Sequence, residues 1–231
     1  MVKKTCKTLF FLALMLGLSC PSFAKTVTIV HDADAEQCLK HGVAYLQRVI
    51  EEKGLDASVQ TELPAEDGAV IVVADLGKNE EMKKEFAAAG ADIPEKAEAF
   101  VIRTEENRVF AGGTDAVGAM YAAYEIAEQI EMMESPENIA ANIEPGTRVP
   151  SMEIRAVNPF FHVEAFNDPE SWYFDEKFWE TYLDELSYDR YNLLDIHAMY
   201  GLISTFFPNC YLYMLKSDKF PQVGIDAEEA K

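Results

Sequence analysis

Several polar side chains late in the chain have the types and spacing to engage a hydroxyl-rich ligand. Arg155 offers a planar five-donor fork, suited to paired hydroxyls or to a carboxylate. Its structural alternative is a salt bridge with Glu153 or another acid. His197 closes the segment Tyr191–His197 and can donate to a hydroxyl; a structural histidine is the alternative. Asp195 stands two residues earlier, so on a strand it shares the face of His197 and points either to a ligand or into a polar core layer. Asn158 and His162 follow an earlier strand and fall at the same end. Phe160, Phe161 and Tyr200 add flat rings that could take the CH face of a sugar, with Trp172 beside them. Trp179 lies on a helix and reads as core. His31 with Asp32 and Asp34 reads as a solvated turn.

These residues need a frame. Met152–Pro159 and Tyr191–His197 read as strands, and Asp175–Arg190 as the helix between them, with Phe178, Trp179, Tyr182, Leu183 and Leu186 on one face. A short helix-to-strand junction suits a right-handed parallel crossover. Two strands leave open edges and uncovered faces. The stretch from Ser151 to Lys231 is far shorter than the roughly 250 residues of a (β/α)₈ barrel. The pattern therefore predicts the opening part of such a barrel, in which strand C-terminal ends carry the site.

The preceding part reads as an α+β unit. Thr26–Val30 opens as a strand and Ala35–Lys53 as an amphipathic helix ended by Gly54. Ser58–Leu63 suits an edge strand, and the unbroken apolar run Ala69–Ala74 a central strand buried on both faces. Asn79–Ala89 is a short helix. Phe100–Thr104 and Arg108–Ala111 form a hairpin around Glu105-Glu106-Asn107. Thr114 is placed to cap a helix running to Met132, with Val117, Tyr121, Tyr124, Ala127 and Ile130 inward. Ser135–Arg148, rich in Pro and Gly, reads as a linker. The predicted fold class is an α+β N-terminal domain, a mixed sheet with helices, followed by an incomplete (β/α)₈ barrel. The expected boundaries are a signal peptide over 1–24, the α+β domain over 25–148 and the first βαβ portion of the barrel over 149–231.

Charge narrows the partners. Asp plus Glu number 40 against 20 Lys plus Arg, a formal charge of −20. Such a surface repels phosphate backbones, so nucleic acid is excluded as a partner. With 49% hydrophobic residues the chain is too apolar for disorder. Lys3, Lys4 and Lys7, the apolar run Leu9–Leu18 and Ser22-Phe23-Ala24 form the three parts of a secretory signal. The predicted location is the periplasm or the extracellular space, with a lipid anchor through Cys20 as the alternative. No later segment could span a membrane. The remaining Cys38 and Cys210 lack metal-site spacing; a single bridge between them is compatible with export. No cofactor or metal is implied, and the oligomeric state is not legible.

Val101-Ile102-Arg103, Val109-Phe110-Ala111-Gly112-Gly113 and Gly118-Ala119-Met120-Tyr121 resemble the end of the small α+β domain that precedes the barrel in the β-hexosaminidases and α-glucuronidases. In that pattern an Arg-bearing strand, a turn and a Gly-rich strand lead into a helix. The glycines would permit unusual dihedrals and close helix–sheet packing. Met152-Glu153-Ile154-Arg155 is similar to the first barrel strand of hexosaminidase-like enzymes, whose Arg binds sugar hydroxyls. Tyr191-Asn192-Leu193-Leu194-Asp195-Ile196-His197 resembles their second strand. After His197, however, this chain departs from the hexosaminidase pattern, with Ala198-Met199-Tyr200-Gly201 in place of a Thr-Asp-Asp-type segment, which leaves the α-glucuronidase resemblance equally open.

The resemblance implies the N-terminal portion of an exported glycoside hydrolase acting on a carbohydrate substrate. Glycosidases commonly use two carboxylates, about 5–5.5 Å apart for retention or about 6.5–9.5 Å for inversion. In the resembling families these lie on later strands. Glu153, Glu164, Asp168 and Asp195 fall near strand ends here, but none sits in an acid-catalyst motif. The chain alone is expected to be inactive. The alternative is a stand-alone, non-catalytic carbohydrate-binding or scaffold protein of the cell envelope.

Overall fold

The computed structural model describes residues 26–64, 68–88, 90–134, 136, 138–159, 170 and 172–195. The signal segment, Phe160, Phe161, His162, His197, Tyr200 and Cys210 lie outside them. The chain divides into two compact units, one up to Val149 and one from Pro150.

The first unit is built on a six-stranded mixed sheet. Its elements are β1 (Thr26–His31), α1 (Gln37–Glu52), β2 (Asp56–Gln60), β3 (Ala69–Asp75), α2 (Glu80–Ala88), β4 (Phe100–Glu105), β5 (Arg108–Gly113), α3 (Ala116–Glu131), α4 (Ile139–Asn142) and β6 (Gly146–Arg148). The spatial order is β2-β1-β3-β5-β4-β6. Strands β2, β1, β3 and β5 run parallel, and β4 runs antiparallel to both β5 and β6.

The apolar run of β3 becomes a central strand, flanked by β1 and β5 and buried from Val70 to Asp75. Strand β2 is the predicted edge, shifted to begin at Asp56. The sheet is covered on both faces. Val70, Val72 and Ala74 belong to clusters that pack against Met82 and Phe86 of α2. A Cβ on Gly112 would meet Leu76 and Phe86, whereas one on Gly113 would meet Ala119 of α3; successive residues face opposite sides. Helix α3 packs on β3, β4 and β5 and also on α1. At that helix crossing a Cβ on Gly42 would come 3.0 Å from Met120.

Three expectations change. Ser135–Arg148 is not a linker: it contains α4, and Gly146–Arg148 adds β6 beside β4, with Ile102 opposite Gly146. Helix α3 is capped by Asp115, not Thr114. The Asp115 carboxylate accepts from Gly118 N at 2.7 Å and from Glu98 N at 2.9 Å, while the Thr114 hydroxyl donates back to Lys96 O and Ala99 O. Val117 is half-buried, whereas Tyr121, Tyr124, Ala127 and Ile130 are fully inside.

The second unit contains β7 (Ala156–Val157), a 3₁₀ turn (Trp172–Phe174), α5 (Glu176–Tyr188) and β8 (Leu193–Leu194). The predicted βαβ order is present and β7 pairs parallel with β8, although the paired segments are much shorter than Met152–Pro159 and Tyr191–His197. Asp175 caps α5, accepting from Lys177 N. None of the described residues after Val149 is buried. Trp179 is half-buried in a ring cluster with Trp172, Phe178 and Tyr182, rather than in a core. Among the described residues no helix is long and apolar enough to cross a membrane.

Candidate substrate-binding site

The two parallel strands of the second unit bring two of the sequence-selected residues together. Asn158 follows β7 and Asp195 follows β8, both at the C-terminal ends. The Asn158 carboxamide donates to Asp195 Oδ2 at 2.6 Å. Asp195 N in turn donates to Val157 O at 2.9 Å, which continues the ladder one step beyond β8. Both side chains are exposed. The pair therefore presents a carboxylate oriented by an amide at the strand ends, where parallel α/β sheets bind ligands. A carboxylate and a carboxamide together can accept from and donate to sugar hydroxyls.

Arg155 lies just before β7 and its guanidinium reaches backbone. Its Nε donates to Arg190 O at 2.6 Å and one terminal nitrogen to Met152 O at 2.8 Å. These contacts tie the entry of β7 to the end of α5, where Arg190 adopts a left-handed φ of 63°. The sequence reading missed the part played by Asn192. Its Oδ1 accepts from Arg155 N at 2.9 Å and its Nδ2 donates to Glu153 O at 2.8 Å. Asn192 thus extends the β7–β8 pairing with side-chain bonds. Its position at the opening of the strand was the available signal. His162, His197 and Tyr200 lie outside the described residues.

A second polar cluster gathers at the C-terminal ends of β1, β3 and β5 in the first unit. The His31–Asp34 region is more than a solvated turn. Asp32 Oδ1 accepts from Asn79 Nδ2 at 2.6 Å, and Oδ2 accepts from Asp75 N at 3.3 Å. Asp75 is 6% exposed and accepts from Gly77 N at 2.9 Å. Burial pushes its carboxyl above the ordinary range, with Asp115 and Glu36 adding to the rise and Lys78 opposing it. The Lys78 ammonium pairs with Glu36, which raises its own affinity for the proton. Cys38 is a free, half-buried thiol, raised chiefly by burial. These bonds lock the strand ends to one another. Among the described residues no group of three or more acids, His or Cys is arranged to hold a metal ion.

The fold is shared with glycoside hydrolases. The chain superposes on a family GH138 enzyme targeting pectin rhamnogalacturonan II, with a TM-score of 0.59 and 21% identity, over 88% of this chain and 27% of that one. It also superposes on a family GH115 4-O-methyl-α-glucuronidase with specificity for decorated arabinogalactans, with a TM-score of 0.56 and 18% identity, over 74% of this chain and 25% of that one. The likeness is one of fold, and the chain spans about a quarter of the length of each neighbour. No family model matches the sequence, and no curated protein matches it.

Proposed function

We infer that this chain is the N-terminal portion of an exported glycoside hydrolase, a small α+β domain followed by the start of a (β/α)₈ barrel. The observation that carries the reading is the superposition on the GH138 enzyme, which takes in 88% of this chain but 27% of its neighbour. The unburied state of the second unit supports it. Leu193 on β8 is 43% exposed and Ile154 beside β7 is 66% exposed, although a barrel strand buries such residues under its helices and neighbouring strands. Among the described residues the second unit has a two-stranded sheet and no buried residue, which weighs against a stand-alone binding protein.

In this reading Asn158 and Asp195 contact substrate hydroxyls, together with His162, His197 and Tyr200. Arg155 and Asn192 hold the two strands in register, and Arg155 contacts the sugar only if its fork leaves the carbonyls it now engages. The catalytic carboxylates belong to later strands of the parent protein, which would cleave an O-glycosyl bond in a plant-type polysaccharide of the α-glucuronidase or rhamnogalacturonan class. Met1–Ala24 acts as its export signal.

The test compares residues 25–231 with the full parent chain on rhamnogalacturonan II, glucuronosylated arabinogalactan and a set of chromogenic glycosides. The parent is expected to release sugar and the shorter chain to release none. Turnover by residues 25–231 alone overturns the proposal, as does a parent sequence with no further βα units.

A further inference from the structure

A groove of about 350 Å³ runs along the outer side of β4 in the first unit, far in sequence from the barrel residues. Its floor is Val101–Thr104. One wall is Gly90–Asp92, the turn after α2, and the other is Pro145–Thr147, which leads into β6. Strand β6 pairs with β4 only as far as Ile102, so Arg103 and Thr104 lie past the end of that ladder. Arg103 also borders a smaller cavity of about 80 Å³, lined by Glu85, Phe86, Glu105 and Phe110. The two hollows therefore adjoin at one guanidinium.

That guanidinium is unusual in this chain. It is half-buried, yet no hydrogen bond or ion pair to another described residue engages it. A partly desolvated Arg with five unused donors is a poor structural element and a good ligand group. The acids around it, Asp92, Glu85 and Glu105, are likewise without a side-chain partner among the described residues. The Thr104 and Thr147 side chains add hydroxyls; Thr147 Oγ1 is 3.3 Å from Asp92 O, a weak contact that a ligand could replace. Phe110 supplies a half-buried ring, held edge-on to Phe86 with centroids 6.1 Å apart.

We propose that this groove is a binding subsite for a neutral sugar ring, with Arg103 as its anchor. Three carboxylates around one cation, on a chain of charge −20, disfavour an anionic ligand. A fully apolar ligand would strand the guanidinium and the acids. A polyol satisfies both kinds of group, because each hydroxyl donates and accepts: the Arg103 fork takes adjacent hydroxyl oxygens while Asp92, on the facing wall of the groove, accepts their hydrogen bonds. Phe110 and Glu105 line the smaller cavity on the other side of the same guanidinium. The volume is at the lower end of small-molecule sites, which run from about 300 to 1,000 Å³. The subsite would hold a remote part of a polysaccharide and is independent of the hydrolase reading: a parent enzyme could turn over with an inert groove, and the groove could bind in a protein that catalyses nothing.

The test is amide NMR on residues 25–231, titrated with the methyl glycosides of galactose, glucose, mannose and rhamnose, and with galacturonate as the charged match to galactose. At about 20 mM, well above a millimolar Kd, at least one neutral glycoside is expected to shift the amides of Ala91, Asp92, Arg103, Thr104 and Thr147. Galacturonate should bind at least tenfold more weakly than galactose, or not at all where another sugar is preferred. Arg103→Ala should weaken binding tenfold or more, and Arg103→Lys should not restore it. Exposed Asp92→Ala, which leaves the sheet untouched, should weaken it several-fold and serves if the Arg103 variants do not fold. The inference is overturned if none of the four neutral glycosides shifts these amides, if the shifts lie elsewhere, or if galacturonate binds as tightly as the best neutral sugar.

Discussion

Gly113 occupies a position where even one methyl group has no room. A Cβ there would lie 1.9 Å from Ala119 N and 2.4 Å from Gly118 C, and one on Gly118 would lie 2.3 Å from Ala99 O. Neither glycine has a positive φ, so the unusual dihedrals expected from the sequence are absent and close approach of α3 to the sheet is the whole reason for them. Gly54 is the opposite case, with φ of 80° and open space around it. Gly113→Ala should therefore cost about 3 kcal/mol or more by overpacking, and Gly54→Ala about 1 kcal/mol by backbone strain; urea unfolding of both variants checks the contrast. Asp75 gives a second prediction. Its folded carboxyl titrates above the ordinary 3.8 because burial penalises the charge. Between 3.8 and that higher value the folded state binds more protons than the unfolded one, so this group's contribution to stability is full at low pH and falls as pH rises through the window. Asp75→Asn keeps an acceptor for Gly77 N and removes the titration. It should flatten the acid-to-neutral stability profile and leave the variant at least as stable as the parent at pH 7. A steeper loss with rising pH in the variant would contradict this account.

The elements that were legible are those whose own residues decide them. The run Ala69–Ala74 could only be a doubly buried strand, and the period of Leu39, Val43, Leu46 and Ile50 could only be a helix with one buried face. The misses depend on partners distant in sequence. Gly146–Arg148 carries turn residues and becomes a strand only because β4 offers it an edge. Thr114 and Asp115 are both good caps, and the choice falls to Asp115 because the Thr114 hydroxyl is taken by carbonyls of the segment 96–99. The same explanation covers Asp32, whose bonds to Asn79 and to Asp75 N cross between strand ends. The Asp115 cap also fastens Glu98, which sits at φ of 61°, through Glu98 N. Asp115→Ala should thus lose more than an isolated cap, about 2 kcal/mol against the usual value near 1, while Thr114→Ala should lose less. Thermal melts of the two variants separate the assignments.

At the scale of the whole chain the two units differ in kind. The first has a continuous core, with Tyr124, Ile29, Leu39, Leu46 and Ile71 almost fully buried. In the second Leu183 is 48%, Phe174 55% and Met152 62% exposed, and α5 has no buried residue at all. Its candidate site was half legible: Asn158 and Asp195 do meet at the strand ends, whereas His162, His197 and Tyr200 lie outside the described residues. Local bonds hold what is there, namely the Asp175 cap, the Arg155 fork and the Asn192 carboxamide. Such bonds protect amides poorly when the faces around them are wet, since opening exposes little new apolar surface. Hydrogen exchange on residues 25–231 should therefore find β1, β3, β5 and α3 protected up to the global unfolding free energy, while α5 and β8 exchange orders of magnitude faster. In the longer protein proposed above, where additional strands and helices would cover Leu183 and Leu193, the same amides should slow toward the values of the first unit. Equal protection of α5 and α3 in the short chain would mean that the second unit already owns a core, and the reading of it as an opened barrel would fail.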